Sequence, residues 1–112
     1  MKLFLILLLA VFPALGQTNK VIPITNTKNE IVYLTKYETV DLSHVIFETI
    51  VITPKFKGLR ISLGNCRTYQ YGIILNYDPV TKKPSYPEVK VLQATKNSSV
   101  AKILNIVCGT SL

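Results

Sequence analysis

Three residues of the types that form a catalytic triad lie almost side by side, Asp41, Ser43 and His44. In a triad an imidazole deprotonates the serine hydroxyl and a carboxylate orients the imidazole, and the fold brings these groups together from distant positions. Three near neighbours cannot easily line up in that order. We therefore interpret the segment as a polar turn ahead of a strand that begins at His44, and we predict no catalytic residue in it.

Other enzymatic chemistry and metal binding have equally little support. One histidine and two cysteines do not provide a zinc site at the usual ligand spacing. The six carboxylates are scattered along the chain, so neither a calcium-binding loop nor a glycosidase pair is indicated. The sequence thus predicts a protein that is not an enzyme and that has no metal and no cofactor.

The N-terminus has the three parts of a secretory signal peptide. Lys2 supplies a positive charge, residues 3–12 are all apolar, and small residues at positions 14 and 16 precede Gln17, as the signal peptidase requires. The apolar run is well short of the ~20 residues that a transmembrane helix needs. We therefore predict that residues 1–16 are a cleaved signal peptide and that residues 17–112 form a single secreted, extracellular β domain.

The predicted export signal bears on the oxidation state of the two cysteines, Cys66 and Cys108. In an oxidising compartment a pair of cysteines in a small domain is expected to form a disulfide. Chain entropy alone would make such a bridge worth roughly 4 kcal/mol. Two free thiols, or a bridge between two chains, are the alternatives.

Positive charge is the main compositional bias, with 13 Lys and Arg against 6 Asp and Glu and a net charge of +7. Lys55, Lys57 and Arg60 cluster around one turn. A cationic surface can bind anionic lipid, glycan or nucleic acid, but it also keeps a small secreted protein soluble, and we favour solubility. Nucleic acid is not expected as a partner, because a secreted protein rarely meets it.

Two loops carry candidate sites. The loop from Asp78 to Pro87 contains Lys82, Lys83 and Tyr86, which offer charge and an aromatic anchor for a partner. The tripeptide that begins at Asn97, Asn-Ser-Ser, fits the N-glycosylation sequence and falls in a predicted turn. Asn97 is therefore a candidate glycosylation site, although a plain polar turn would look the same.

The elements that must position these residues are predicted to be mainly strands. β-Branched and aromatic residues dominate the apolar positions and suit a pleated, half-buried surface. Alternation places Leu59, Ile61 and Leu63 on a core face with Arg60 pointing away, and it places the odd residues of 69–77 together on one face of the next strand. We predict strands over residues 21–24, 30–37, 44–53, 59–63, 69–77, 88–91 and 100–107, the last of them central because it is apolar on both faces.

Short strands separated by turns at this rhythm predict an all-β fold, a small antiparallel β-sandwich or barrel-like domain with one disulfide. A true immunoglobulin domain is not indicated. The chain has no Trp to pack on the disulfide, and Ile106 stands where such domains place a Tyr, two residues before the second cysteine.

These expectations favour a secreted, non-enzymatic binding protein, of the kind found among venom toxins and salivary effectors that act on a host protein. The alternative is a cationic membrane-active or antimicrobial protein. Contact with a membrane surface is not favoured, because the apolar residues are better explained as core. A carrier of a small apolar ligand would need interior room that so short a chain hardly leaves. We expect a monomer that binds an unknown protein partner.

Overall fold

The structure, a computed structural model, describes residues 21–88 and 90–110. The predicted signal peptide at residues 1–16 and its cleavage site at Gln17 lie outside the described residues. Within these residues seven strands and one helix follow one another: β1 (Ile22–Asn26), β2 (Ile31–Thr39), β3 (His44–Ile52), β4 (Lys57–Asn65), β5 (Gln70–Asp78), β6 (Lys83–Ser85), β7 (Leu92–Gln93) and α1 (Ser99–Thr110).

The strands form one antiparallel sheet in which chain neighbours are also spatial neighbours. The order runs from β1 to β6, and β7 pairs with β5. β6 lies beside Asn76 to Asp78 and β7 beside Gln70 and Tyr71, so the two short strands share one edge of β5. The prediction of an antiparallel all-β domain with one disulfide is confirmed.

The segment over residues 100–107, predicted as the central strand, is helical, and that prediction is wrong. Helix α1 begins where the hydroxyl of Ser98 accepts a hydrogen bond from the Ala101 amide at 3.1 Å, which is the usual N-cap contact. Its buried apolar residues recur at helical spacing, at positions 101, 103, 104, 107 and 108. The β-branched side chains obscured this period.

Helix α1 covers one face of the sheet, here called the inner face. The core between them joins Val32, Leu34, Val45, Phe47 and Val51 of the sheet to Ile103, Leu104, Val107 and Cys108 of the helix. Burying each large apolar side chain contributes about 1.5–3 kcal/mol. The fold thus has two layers, the sheet and this helix, which share one core.

The prediction that Ile61 of β4 is buried is confirmed, but the helix packs on the other face of this strand, the face of Arg60. Arg60 pairs directly with buried Thr49, and Ser62 pairs with buried Phe47, which places Arg60 and Ser62 on the inner face. Gly64 follows on the same face, where an added Cβ would lie only 2.6 Å from Leu104 Cδ2. Small residues thus let the helix approach β4.

The large apolar residue Ile61 is buried on the outer face instead. It lies beside Leu75 of β5, which is also buried. The register then shifts, because Ser62 pairs with Ile73 and one extra residue, Ile74, is accommodated in β5. This bulge sends residues on its two sides to opposite faces, so the odd residues of 69–77 do not share one face as predicted.

The predicted strand at residues 88–91 is also wrong. Glu88, Lys90 and Val91 are outside any strand, whereas β6 forms inside the predicted loop and β7 begins at Leu92. Proline lacks the amide donor of a ladder, and Pro84 and Pro87 confine pairing at this edge to short stretches.

Candidate functional site

The triad-like residues form a turn that starts β3, as the sequence predicts. Oδ1 of Asp41 accepts hydrogen bonds from the amides of Ser43 at 2.8 Å and His44 at 2.9 Å, and it contacts Nδ1 of His44 at 2.9 Å. The Ser43 amide first, and then the His44 ring, lower the pKa of the Asp41 carboxyl from its ordinary value. Within the described residues the Ser43 hydroxyl makes no hydrogen bond to His44.

The predicted disulfide between Cys66 and Cys108 is confirmed, with a sulfur–sulfur distance of 2.08 Å and Cα atoms 5.5 Å apart. It joins the residue after β4 to the last turn of α1. Nearby, the Tyr69 hydroxyl donates to Oδ1 of Asn105 at 2.6 Å. These contacts fix the C-terminal end of the helix to one end of the sheet.

Lys82, Lys83 and Tyr86 lie on the hairpin formed by β5 and β6. The Lys82 amide donates to the Asp78 carbonyl at 2.8 Å, which closes the turn, and Lys82 has a positive φ of 58°. All three side chains are exposed. The structure therefore places them on one accessible hairpin, and their role in binding stays a prediction.

This hairpin is part of a larger basic surface. In an antiparallel meander every second turn lies at the same end of the sheet, so the turns at 27–30, 53–56 and 79–82 are together. We call this the lysine end, and it carries five exposed lysines: Lys28, Lys55, Lys57, Lys82 and Lys83. Its two carboxylates are engaged, Glu30 with the Ser99 hydroxyl at 2.7 Å and Asp78 with the Val80 amide at 2.8 Å.

The candidate glycosylation site Asn97 lies in the turn before α1 and is exposed. Its φ of 67° is in the left-handed region, which asparagine tolerates better than most residues. The hydroxyl of Ser99, the third residue of the sequence motif, is 2.7 Å from Oγ1 of Thr25. The predicted turn is present, and its glycosylation stays a prediction.

Sequence reasoning missed a cavity of about 410 Å³ between the inner face and the first turn of α1. The predictions that Arg60 points away from the core and that residues 100–107 form a strand leave no place for such a cavity. Its charged lining residues are Glu30, Arg60 and Lys102. The remaining lining is mixed, with hydroxyl and amide groups from Thr25, Thr27, Thr49, Ser62, Tyr71, Asn97, Ser98 and Ser99 and apolar groups from Val32, Phe47, Val51, Ile73, Val100 and Ile103.

Arg60 is positioned at this cavity by two neighbouring side chains. Its Nε donates to Oδ1 of Asn76 at 2.8 Å, and its guanidinium carbon lies 5.0 Å from the centre of the Phe56 ring. Burial lowers the pKa of the Arg60 guanidinium, whereas nearby Tyr71 and Glu30 favour its charged form. Arg60 is thus held from two sides and stays a cation.

A cluster of side chains that could bind a metal ion would be a further candidate site. The described residues contain no group of three or more His, Cys, Asp or Glu side chains that could hold a metal ion. Comparison of the chain with protein-family models, with curated proteins and with solved structures finds no match.

Proposed function

We propose that the protein is a secreted, non-enzymatic binding protein that recognises an acidic surface of a partner protein through its lysine end. A venom or salivary effector that acts on a host protein would have these properties. The observation that supports this most strongly is the gathering of five exposed lysines, in three turns and at the starts of β4 and β6, at one end of a disulfide-tied sheet.

The arrangement suits recognition for two physical reasons. Exposed charge of one sign accelerates encounter with a surface of opposite sign, and the two carboxylates at this end already have hydrogen-bond donors. Tyr86, which follows β6 and is 53% exposed, supplies an aromatic side chain of the kind that often dominates binding energy. The hairpin is therefore the proposed centre of the contact.

Secretion is part of the proposal and has two supports. The N-terminal sequence has the parts of a signal peptide, and the Cys66–Cys108 disulfide is compatible with an extracellular location. The intact mass of the secreted protein tests this, since cleavage before Gln17 is expected.

The non-enzymatic part of the proposal has its own control. The His44 ring bonds to Asp41, and within the described part of the chain it makes no hydrogen bond that would prepare the Ser43 hydroxyl for attack. We expect His44→Ala to leave partner binding unchanged. Loss of biological activity in a His44→Ala protein of unchanged fold and stability would instead favour an enzyme.

The test of the binding surface compares two triple variants. The hairpin variant replaces Lys82, Lys83 and Tyr86 with Ala, and the control replaces Arg67, Lys90 and Leu42, three exposed residues away from the hairpin, with Ala. Both lose two positive charges and one exposed apolar side chain. A partner captured on the immobilised protein from host fluid is purified, and its Kd for each variant is measured.

We expect the hairpin variant to bind at least about tenfold more weakly, which corresponds to about 1.4 kcal/mol. The control variant is expected to retain the affinity of the unmodified protein. Equal losses in both variants would mean that net charge alone attracts the partner, and loss in the control alone would place the site elsewhere.

A cationic membrane-active protein is the second candidate, and one observation favours it. Val80, at the tip of the hairpin, is 85% exposed beside the lysines, so an apolar tip with flanking charge could enter an anionic membrane surface. No helix among the described residues is long and apolar enough to cross a membrane. Co-sedimentation with phosphatidylserine vesicles that is lost in Val80→Asp would favour this candidate over a protein partner.

A further inference from the structure

The cavity beside α1 has the size of a small-molecule site, since about 410 Å³ falls within the usual range of roughly 300–1,000 Å³. It lies between the inner face and the helix, whereas the hairpin lies at the β5 edge of the sheet. The cavity includes Thr27 and Glu30 of the turn at 27–30, but none of the five lysines of the lysine end lines it. The two proposals therefore rest on different side chains.

An arginine on a face that otherwise builds the core needs an explanation. Bringing a charge out of water is costly unless it is paired and hydrogen-bonded. Arg60 has five N–H donors, and within the described residues only its Nε has a hydrogen-bond acceptor, the Asn76 side chain. The donors on its two terminal nitrogens remain for a ligand.

The carboxylate that could neutralise Arg60 is held by another group. Glu30 lines the same cavity, but its Oε1 accepts the Ser99 hydroxyl at 2.7 Å. Among the described residues Glu30 and Arg60 form no ion pair within 4 Å. With Lys102 at the cavity as well, the formal charge of the lining is +1, which suits a monoanion better than a dianion.

The geometry of the Arg60 guanidinium and the apolar part of the lining indicate which class of monoanion fits the cavity. A guanidinium presents paired donors that match a carboxylate. Six apolar side chains from both layers line the cavity, among them Phe47 and Ile73 of the sheet and Ile103 of the helix. They offer contact to a short hydrocarbon body.

We propose that this cavity binds a small amphipathic monocarboxylic acid, with its carboxylate on the guanidinium of Arg60 and its apolar body against Phe47, Ile73 and Ile103. The ligand would complete the pairing of Arg60, and no covalent step is involved. The expectation from the sequence that so short a chain leaves hardly any interior room is thereby revised.

The test uses octanoate as the probe and 1-octanol as its uncharged counterpart. Each is titrated into the oxidised, isotope-labelled protein, and amide shifts are followed by NMR. We expect saturable shifts with octanoate at cavity residues such as Thr49, Ser62 and Tyr71, and a Kd for 1-octanol about tenfold or more weaker. No saturation by octanoate, shifts confined to residues outside the cavity, or equal affinity for the two probes would overturn the proposal.

Two variants with the same loss of charge then locate the carboxylate. Arg60→Gln keeps an amide donor beside Asn76 but removes the guanidinium, and it should weaken octanoate binding roughly tenfold to a hundredfold and abolish the preference over 1-octanol. Arg67→Gln removes a guanidinium from an exposed position that lies outside both the cavity and the lysine end, and it should change neither. If Arg60→Gln binds octanoate as the unmodified protein does, the assignment to Arg60 is wrong. Should Arg60→Gln fail to fold, the comparison of the two probes on the unmodified protein decides.

Discussion

At the scale of single residues, Asp41 shows how a carboxylate can be structural in a segment that resembles a triad. Its Oδ1 accepts two backbone amides and faces the His44 ring, and these contacts lower its pKa in the folded state. A carboxyl whose pKa is lower in the folded than in the unfolded protein stabilises the fold above the unfolded pKa, and this stabilisation is lost as the pH falls through the folded pKa.

We therefore expect Asp41→Ala to be less stable than the unmodified protein near neutral pH, and the difference to shrink as the pH falls below about 4. Asp41→Asn is the control, because its side-chain oxygen still accepts the two amides while the charge is lost. Chemical denaturation at a series of pH values measures the free energy of unfolding. A deficit in Asp41→Ala that stays the same from pH 7 down to pH 2 would contradict this account.

Gly58 provides a second prediction at this scale, because a Cβ there would run into the carbonyl oxygen of Tyr77 on the neighbouring strand. Gly58→Ala is expected to lower the free energy of unfolding by about 1–3 kcal/mol, as overpacking does. The matched change Gly109→Ala lies in α1, where an added Cβ meets nothing within 4 Å, and it should be neutral or stabilise by up to about 1 kcal/mol. Similar effects of the two changes would mean that the β4–β5 approach is looser than described.

At the scale of elements, the decisive feature is that α1 is fixed at both ends by different chemistry. Its first turn is joined to the sheet by the Ser99 hydroxyl, which contacts Thr25 and Glu30, and its last turn by the Cys66–Cys108 bridge. Since one wall of the cavity is the first turn of this helix, the cavity depends on the helix staying in place.

We expect the double change Cys66→Ala and Cys108→Ala to lower the free energy of unfolding by about 2–5 kcal/mol. Hydrogen exchange should then increase first in the last turn of α1, because only that end loses its anchor. Ser99→Ala is the complementary control, with faster exchange expected in the first turn. Faster exchange spread evenly over the helix in both proteins would show that α1 detaches as one unit.

An element can be predicted from the sequence when the residues that determine it are close together in the chain. Such short-range patterns mark the turns, the Pro-containing edge strand β1 and the alternating strand β3. The strands β1, β2 and β3 therefore lie close to their predicted positions. The strand prediction over residues 100–107 is wrong because Val100, Ile103, Ile106 and Val107 are β-branched and favour strands by propensity, although their spacing fits a helix. In α1 packing on the sheet overrides that propensity.

The predicted orientation of β4 is wrong for a different reason. Alternation alone separates Leu59, Ile61 and Leu63 from Arg60 and Ser62, but it does not say which set faces the covering layer. Gly58 and Gly64 decide this, because only the side with small residues lets another backbone or the helix approach. The disulfide can be predicted from two cysteines and a predicted export signal, whereas the cavity requires the positions of the helix and of Arg60 together.

At the scale of the whole molecule, the two ends of the sheet differ. The lysine end carries Lys28, Lys55, Lys57, Lys82 and Lys83, whereas the turns at 40–43 and 66–69 form the opposite end, where Asp41 and Arg67 offset each other. A molecule with this polarity should meet an acidic partner with one end foremost. The association rate constant should therefore fall steeply as ionic strength rises, while the dissociation rate constant changes little.

The central claim, recognition through the lysine end, is tested most directly by hydrogen exchange of the protein with and without its purified partner. We predict that the partner slows exchange in the turns at 53–56 and 79–82 and leaves the turns at 40–43 and 66–69 unchanged, because a bound surface excludes water from the backbone amides beneath it. Protection of the turns at 40–43 and 66–69, with free exchange at the lysine end, would contradict the claim.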